Sequence, residues 1–184
     1  AASVIAMARI GLRQRVVGVI PLVENMVSGD AFRPGDIVRA ANGRTIEIGN
    51  TDAEGRLILA DALAYTVKTF RPRVMIDMAT LTGACVVALG EKIAGVFSPD
   101  ERLSGLIAKA GQDVHERCWP MPLPEDYWEL LKSDLADMRN IGPHRWGGAI
   151  VAALFLSEFV GQTRWAHIDI AGPAHHKKGG PYTQ

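Results

Sequence analysis

"RLILADALAYTVKTFRPRVMIDMATLTG", residues 56–83, sets the architecture. Residues 56–70 are apolar on nearly every side of a helical projection, which predicts a helix buried all round. Pro72 follows its end, where a proline stops a helix. "RVMIDMA", residues 73–79, reads as a strand that leads into the polar, glycine-bearing turn "TLTG". A helix feeding such a strand is the repeating unit of an α/β domain.

The neighbouring segments repeat the alternation. "RVVGVIPLV" (15–23) is a β-branched run that predicts a buried strand stopped at Pro21, after a helix over residues 1–13. "DIVRA" (36–40) and "TIEI" (45–48) flank "ANGR", whose Asn-Gly centre predicts a hairpin. "KIAGVFS" (92–98) is a strand candidate, and 100–118 is an amphipathic helix with Ser98 or Asp100 as N-cap. One or two short helices are expected within 122–140, a second buried helix over 147–160, and a final strand in "RWAHIDIAG" (164–172). The expected fold is α/β: a mixed, largely parallel sheet with helices on both faces. Ligands of such sheets bind at the carboxyl ends of strands, which directs attention to "MATLTG" and "DIAGPA".

Composition narrows the function classes. Twenty basic and twenty acidic side chains cancel, so no global field favours nucleic acid or an anionic membrane. The longest apolar run, "AIVAALFL", is far too short for a membrane span. Cys85 and Cys118 have no metal or redox spacing and read as reduced, buried thiols. The opening "AASVIAMARIGL" places its arginines after the apolar stretch, which is not the order of a signal peptide. It reads instead as a helix entered partway, and the chain is expected to be a piece of a longer protein.

Just ahead of the long helix stands "NTDAEGR", residues 50–56. Asp52 and Glu54 at i and i+2 of an extended stretch would point to one side and could share a cation or a cation pair. Gly55 would allow close backbone approach. Arg56 would add a fixed cation to the positive end of the helix dipole, an anion pocket beside the carboxylates. The same residues also suit a plainer role, with Thr51 or Asp52 capping the helix and Arg56 pairing with an acid.

"NTDAEGRLILADAL" resembles the signature of the leucyl (cytosol) aminopeptidases, a family of dinuclear metallopeptidases. "PLVENMVSGDAFRPGDIV", "DMATLTGACVVALG", "SDLADMRNIG", "GGAIVAALFLSEFV" and "WAHIDIAG" are similar to that family in the same order. The resemblance implies an aminopeptidase/phosphorylase-hydrolase-like fold. It implies that Asp52 ligates one metal and Glu54 bridges two divalent ions, zinc or manganese. Arg56 would be catalytic, holding a bicarbonate that relays the proton of the attacking water. Asn50, Thr80, Leu81, Gly83 and Ala171 would bind substrate. Peptides whose N-terminal leucine or other apolar residue is released, a cytoplasmic location and a homo-hexamer are implied as well; nucleic acid is not expected. In the family, further metal ligands precede the point where this chain opens. The chain would then be an incomplete C-terminal catalytic domain, and inactive by itself.

Two further readings compete locally. "RPGDIVRAANGRTIEI" also resembles the hairpin of PDZ-type modules, which bind peptide ends by strand addition. No Gly-Leu-Gly-Phe-like carboxylate loop precedes it, and long buried helices follow. His175, His176, Lys177 and Lys178 read as a solvated loop, and His167 as a core histidine in a strand. Asp61 and Asp77 lie in apolar segments, where each needs a partner.

Overall fold

The computed structural model describes residues 2–26 and 28–174, which divide into two units, 1–31 and 32–184. The first contains helix α1 (Ala2–Arg9) and no strand. The expected strand at 15–23 does not form: Val16, Val17, Val19, Ile20 and Leu22 are all exposed. A β-branched run supplies propensity, but a strand exists only when a neighbour pairs its backbone, and among the described residues none does.

The second unit opens with the predicted hairpin. Strands β1 (Ile37–Arg39) and β2 (Thr45–Glu47) pair antiparallel, and Gly43, at φ 93°, makes the turn. A short 3-10 turn, Thr51–Ala53, then runs into helix α2 (Glu54–Phe70). The helix ends where Arg71 adopts the left-handed conformation ahead of Pro72. Only one face of α2 is buried, with Ala60, Leu63 and Ala64 inward and Tyr65 half exposed. All-round apolarity therefore overstated its burial.

Strand β3 (Val74–Ala79), helix α3 (Gly83–Leu89), strand β4 (Ala94–Phe97) and helix α4 (Glu101–Asp113) follow. Asp100 caps α4, its carboxylate accepting the Leu103 N–H at 2.9 Å. Then come β5 (Cys118–Pro120), a 3-10 helix (Glu125–Leu131), β6 (Met138–Arg139), α5 (Gly148–Ser157) and β7 (Arg164–Asp169).

Two sheets result, ordered β1-β2-β6 and β3-β7-β4-β5. β3 runs parallel to β7 and β4 to β5, but β4 meets β7 antiparallel, so the larger sheet is mixed. Side-chain alternation assigns the layers. Trp165 of β7 and Met75 of β3 pack with α2 and α5 on one face. Ala166 and Ile168 pack with Val96 and with Leu103 of α4 on the other. Helices thus cover both faces, although Val74, Ile76 and Met78 of β3 stay exposed.

Asp77 finds its partners across the strand pair. It accepts the Trp165 Nε1–H at 2.6 Å and lies 2.6 Å from His167 Nδ1. His167 is fully buried and stacked between Phe97 and Trp165, a core histidine as expected. Asp61 accepts the Ala41 N–H at 2.7 Å, so α2 is tied to the hairpin turn.

Candidate active site

The parallel pairing of β3 with β7 aligns Ala79 with Asp169, so both strands end at one edge. The turn after β3 carries Thr80 to Gly83, and the turn after β7 carries Ala171. At this edge a cleft of about 540 Å³ opens. Asn50, Asp52, Glu54 and Arg56 line it together with Thr80, Leu81 and Gly83. Ala171 is not on this wall, but its N–H donates to the same carboxylate as Leu81 N–H, that of Asp169.

The convergence of Asp52 and Glu54 has a different cause from the one their spacing suggested. They lie in a 3-10 turn and the first turn of α2, not in an extended stretch. Asn50, with extended φ and ψ, caps the 3-10 turn by accepting the Asp52 N–H at 2.9 Å, the role expected of Thr51 or Asp52. Gly55 makes no close backbone approach within the protein. A Cβ on it would meet nothing within 4 Å, and the same holds at Gly83, so both glycines face open space.

What holds the 50–56 segment is Asn140, which is fully buried just after β6. Its side-chain oxygen accepts the N–H groups of Gly49 (2.8 Å) and Asn50 (3.3 Å). Its amide nitrogen donates to the Asn50 carbonyl at 2.8 Å, and its own carbonyl accepts from Arg56 Nη1 at 2.6 Å. Sequence reasoning passed over Asn140, although it sits in the "ADMRN" string. The cleft wall also includes Ile141 and Arg145, the latter stacked 4.4 Å over the Trp146 ring. Neither was singled out, since a loop arginine carries no periodic signal.

Arg56 is buried, and burial pulls its guanidinium pKa down to about 10 while the charge of Asp169 pushes the other way. It remains a cation at neutral pH. Its Nε is buried without a hydrogen-bond partner in the protein. Asp52 and Glu54 bring hard anionic oxygens to the same wall. No group of three or more His, Cys, Asp or Glu residues placed to hold a metal occurs among the described residues. The two carboxylates therefore suit a divalent cation in kind but do not enclose one. His175 and His176 lie outside the described residues, with Lys177 and Lys178. Cys85, behind the turn, has its thiol pushed up to about 11 by burial and then by Asp169, so it is no nucleophile at neutral pH.

Comparison with known proteins places the chain as a whole. The chain is 55% identical over 184 residues to a probable cytosol aminopeptidase of Chlorobium limicola, and 52% identical over 181 residues to that of Geobacter sulfurreducens. The matches take in 97% and 98% of this chain, but only 36% of each relative's length. Among solved structures, a mutant of tomato leucine aminopeptidase superposes with a TM-score of 0.80 at 52% identity, over 84% of this chain and 30% of that one. The family model described as "Cytosol aminopeptidase family, catalytic domain" matches residues 1–184. The hairpin at 37–47 is accordingly part of a catalytic domain, not a PDZ-type module, and the chain belongs to the cytosol aminopeptidase family.

Proposed function

We propose that these residues form part of the active site of a metal-dependent aminopeptidase, which releases N-terminal leucine or other apolar residues from peptides. One observation carries the reading: a single cleft gathers Asn50, Asp52, Glu54 and Arg56 opposite the Thr80–Gly83 turn, at the strand ends where α/β sheets bind ligands. On this reading Asp52 holds one of two divalent ions, zinc or manganese, and Glu54 reaches both. The chemistry bound ions would supply is a water acidified toward a pKa of about 7 and a Lewis acid for the scissile carbonyl. Because two carboxylates fall short of a full ligand set, the remaining ligands belong to other parts of the protein, and the 184-residue chain alone is inactive.

Arg56 is the residue that would hold bicarbonate, a buried cation among the cleft-lining side chains. Bicarbonate there supplies a proton acceptor. Asn140 keeps the guanidinium aimed at the cleft, and Thr80, Leu81, Gly83 and Ala171 border the substrate. A homo-hexamer and a cytoplasmic location complete the proposal. No helix among the described residues is long and apolar enough to cross a membrane.

The test uses the product of the complete reading frame, supplied with manganese or zinc. It should release leucine from leucyl peptides and leave N-acetylated peptides intact; failure to release any N-terminal residue with either metal rejects the reading. Glu54→Gln should abolish turnover, since an amide cannot balance the charge of two cations. Activity of that variant within tenfold of wild type would remove Glu54 from the metal site.

A further inference from the structure

We propose that Asp169 is the positioning residue of the substrate-facing wall, an inference that rests on the aminopeptidase reading of the cleft. Asp169 ends β7 and is 1% exposed. One of its carboxylate oxygens accepts the N–H groups of Leu81 (3.2 Å) and Ala171 (3.1 Å). The other accepts the Thr82 hydroxyl at 2.7 Å. The Thr82 oxygen in turn accepts the Cys85 N–H at 3.1 Å and caps α3. One buried carboxylate therefore joins the turn after β3, the turn after β7 and the start of α3.

The consequence for substrate follows from peptide geometry. In a trans peptide the carbonyl and the N–H point in opposite directions. With the Leu81 N–H held inward on Asp169, the Thr80 carbonyl is held away from it. Asp169 thus decides which side of the Thr80–Leu81 peptide the cleft receives, although Asp169 itself does not line that cleft. Its charge also acts on Arg56, so both walls respond to it.

Asp169→Asn keeps an oxygen for the two N–H groups, whereas Asp169→Ala leaves three donors unmet, two part-buried and one buried. In the metal-loaded product of the complete reading frame, Asp169→Ala should raise the KM for a leucyl peptide at least tenfold with metal content unchanged. Asp169→Asn should return KM to within threefold of wild type. A merely structural carboxylate would lower Tm and the active fraction in Asp169→Ala while KM stayed put, and that outcome overturns the proposal. If Asp169→Ala does not fold, Asp169→Ser, whose hydroxyl is one bond too short to hold both N–H groups, should likewise raise KM at least tenfold; an unchanged KM overturns the proposal equally.

Amide hydrogen exchange separates this inference from the reading beneath it. In Asp169→Ala, or in Asp169→Ser if the former does not fold, the Leu81 and Ala171 amides should exchange at least tenfold faster than in wild type. Those of Ala152 and Ala153 should keep their protection. Unchanged exchange at Leu81 and Ala171 overturns the role of Asp169 whether or not the protein is active. Faster exchange in a protein whose wild type releases no residue from any peptide condemns the aminopeptidase reading and leaves the anchoring intact.

Discussion

Asn140 and Arg56 are separated by 84 positions in sequence and joined by a 2.6 Å bond. The asparagine side chain satisfies three part-buried backbone groups of the 49–50 segment, which its removal strands at once, while its own carbonyl still serves the guanidinium. Asn140→Ala should cost about 1–3 kcal/mol, because unmet buried donors bear their full desolvation penalty. Denaturant titration checks this; a midpoint equal to wild type would show the segment held by other means. Arg56→Ala probes chemistry more than stability. If its side chain holds an anion acting as base, kcat should fall by roughly 10²–10⁴ with metal content normal. Added bicarbonate should then stimulate wild type more than the variant, and equal stimulation of both would return Arg56 to a structural role.

Among the elements, legibility in the sequence tracked how local the cause was. The ANGR hairpin, the Asp100 cap and the strands at 74–79 and 164–169 are set by turn chemistry and short-range pattern, and each stands where that pattern put it. Strands β5 and β6 escaped notice because pairings of two or three residues leave no periodic trace. The 15–23 run failed in the opposite direction, a strong local signal with no partner. The cleft divides the same way. "NTDAEGR" and "TLTG" announce themselves as contiguous strings, whereas the buried side chains of Asn140 and Asp169 act on them across 87 to 91 positions. Asp100 offers an element-scale test. Its carboxylate is held below the usual range first by the bond from Arg164 of β7, then by the Leu103 N–H. A lowered folded-state pKa means the carboxylate stabilises fully above its ordinary value of 3.8, and that this contribution disappears as pH falls through the lower folded value. Asp100→Ala should therefore melt below wild type at pH 7, with the two curves converging toward pH 3. Parallel curves would mean that the α4–β7 link contributes nothing.

For the molecule as a whole, the β3 end of the larger sheet carries exposed apolar side chains. β3 is its end strand among the described residues, and Val74, Ile76 and Met78 line up on its exposed side. An apolar edge of this kind is a template for pairing with other chains. The 184-residue chain should self-associate in a concentration-dependent way, and Ile76→Lys should suppress this, as followed by light scattering. Association unaffected by Ile76→Lys would place the sticky surface elsewhere, with the exposed valines of residues 16–19 next to be tried.

The two buried anchors bear on how this cleft could be moved to another scaffold. A transplant of "NTDAEGR" and "TLTG" would carry most of the cleft-lining groups and neither of the side chains from which those loops hang. Asn140 belongs to the small sheet and Asp169 to the large one, so the portable unit spans both. An engineer copying only the visible residues would obtain the right letters on two loops free to wander. The smallest inheritable piece is the motif pair together with the ends of β6 and β7.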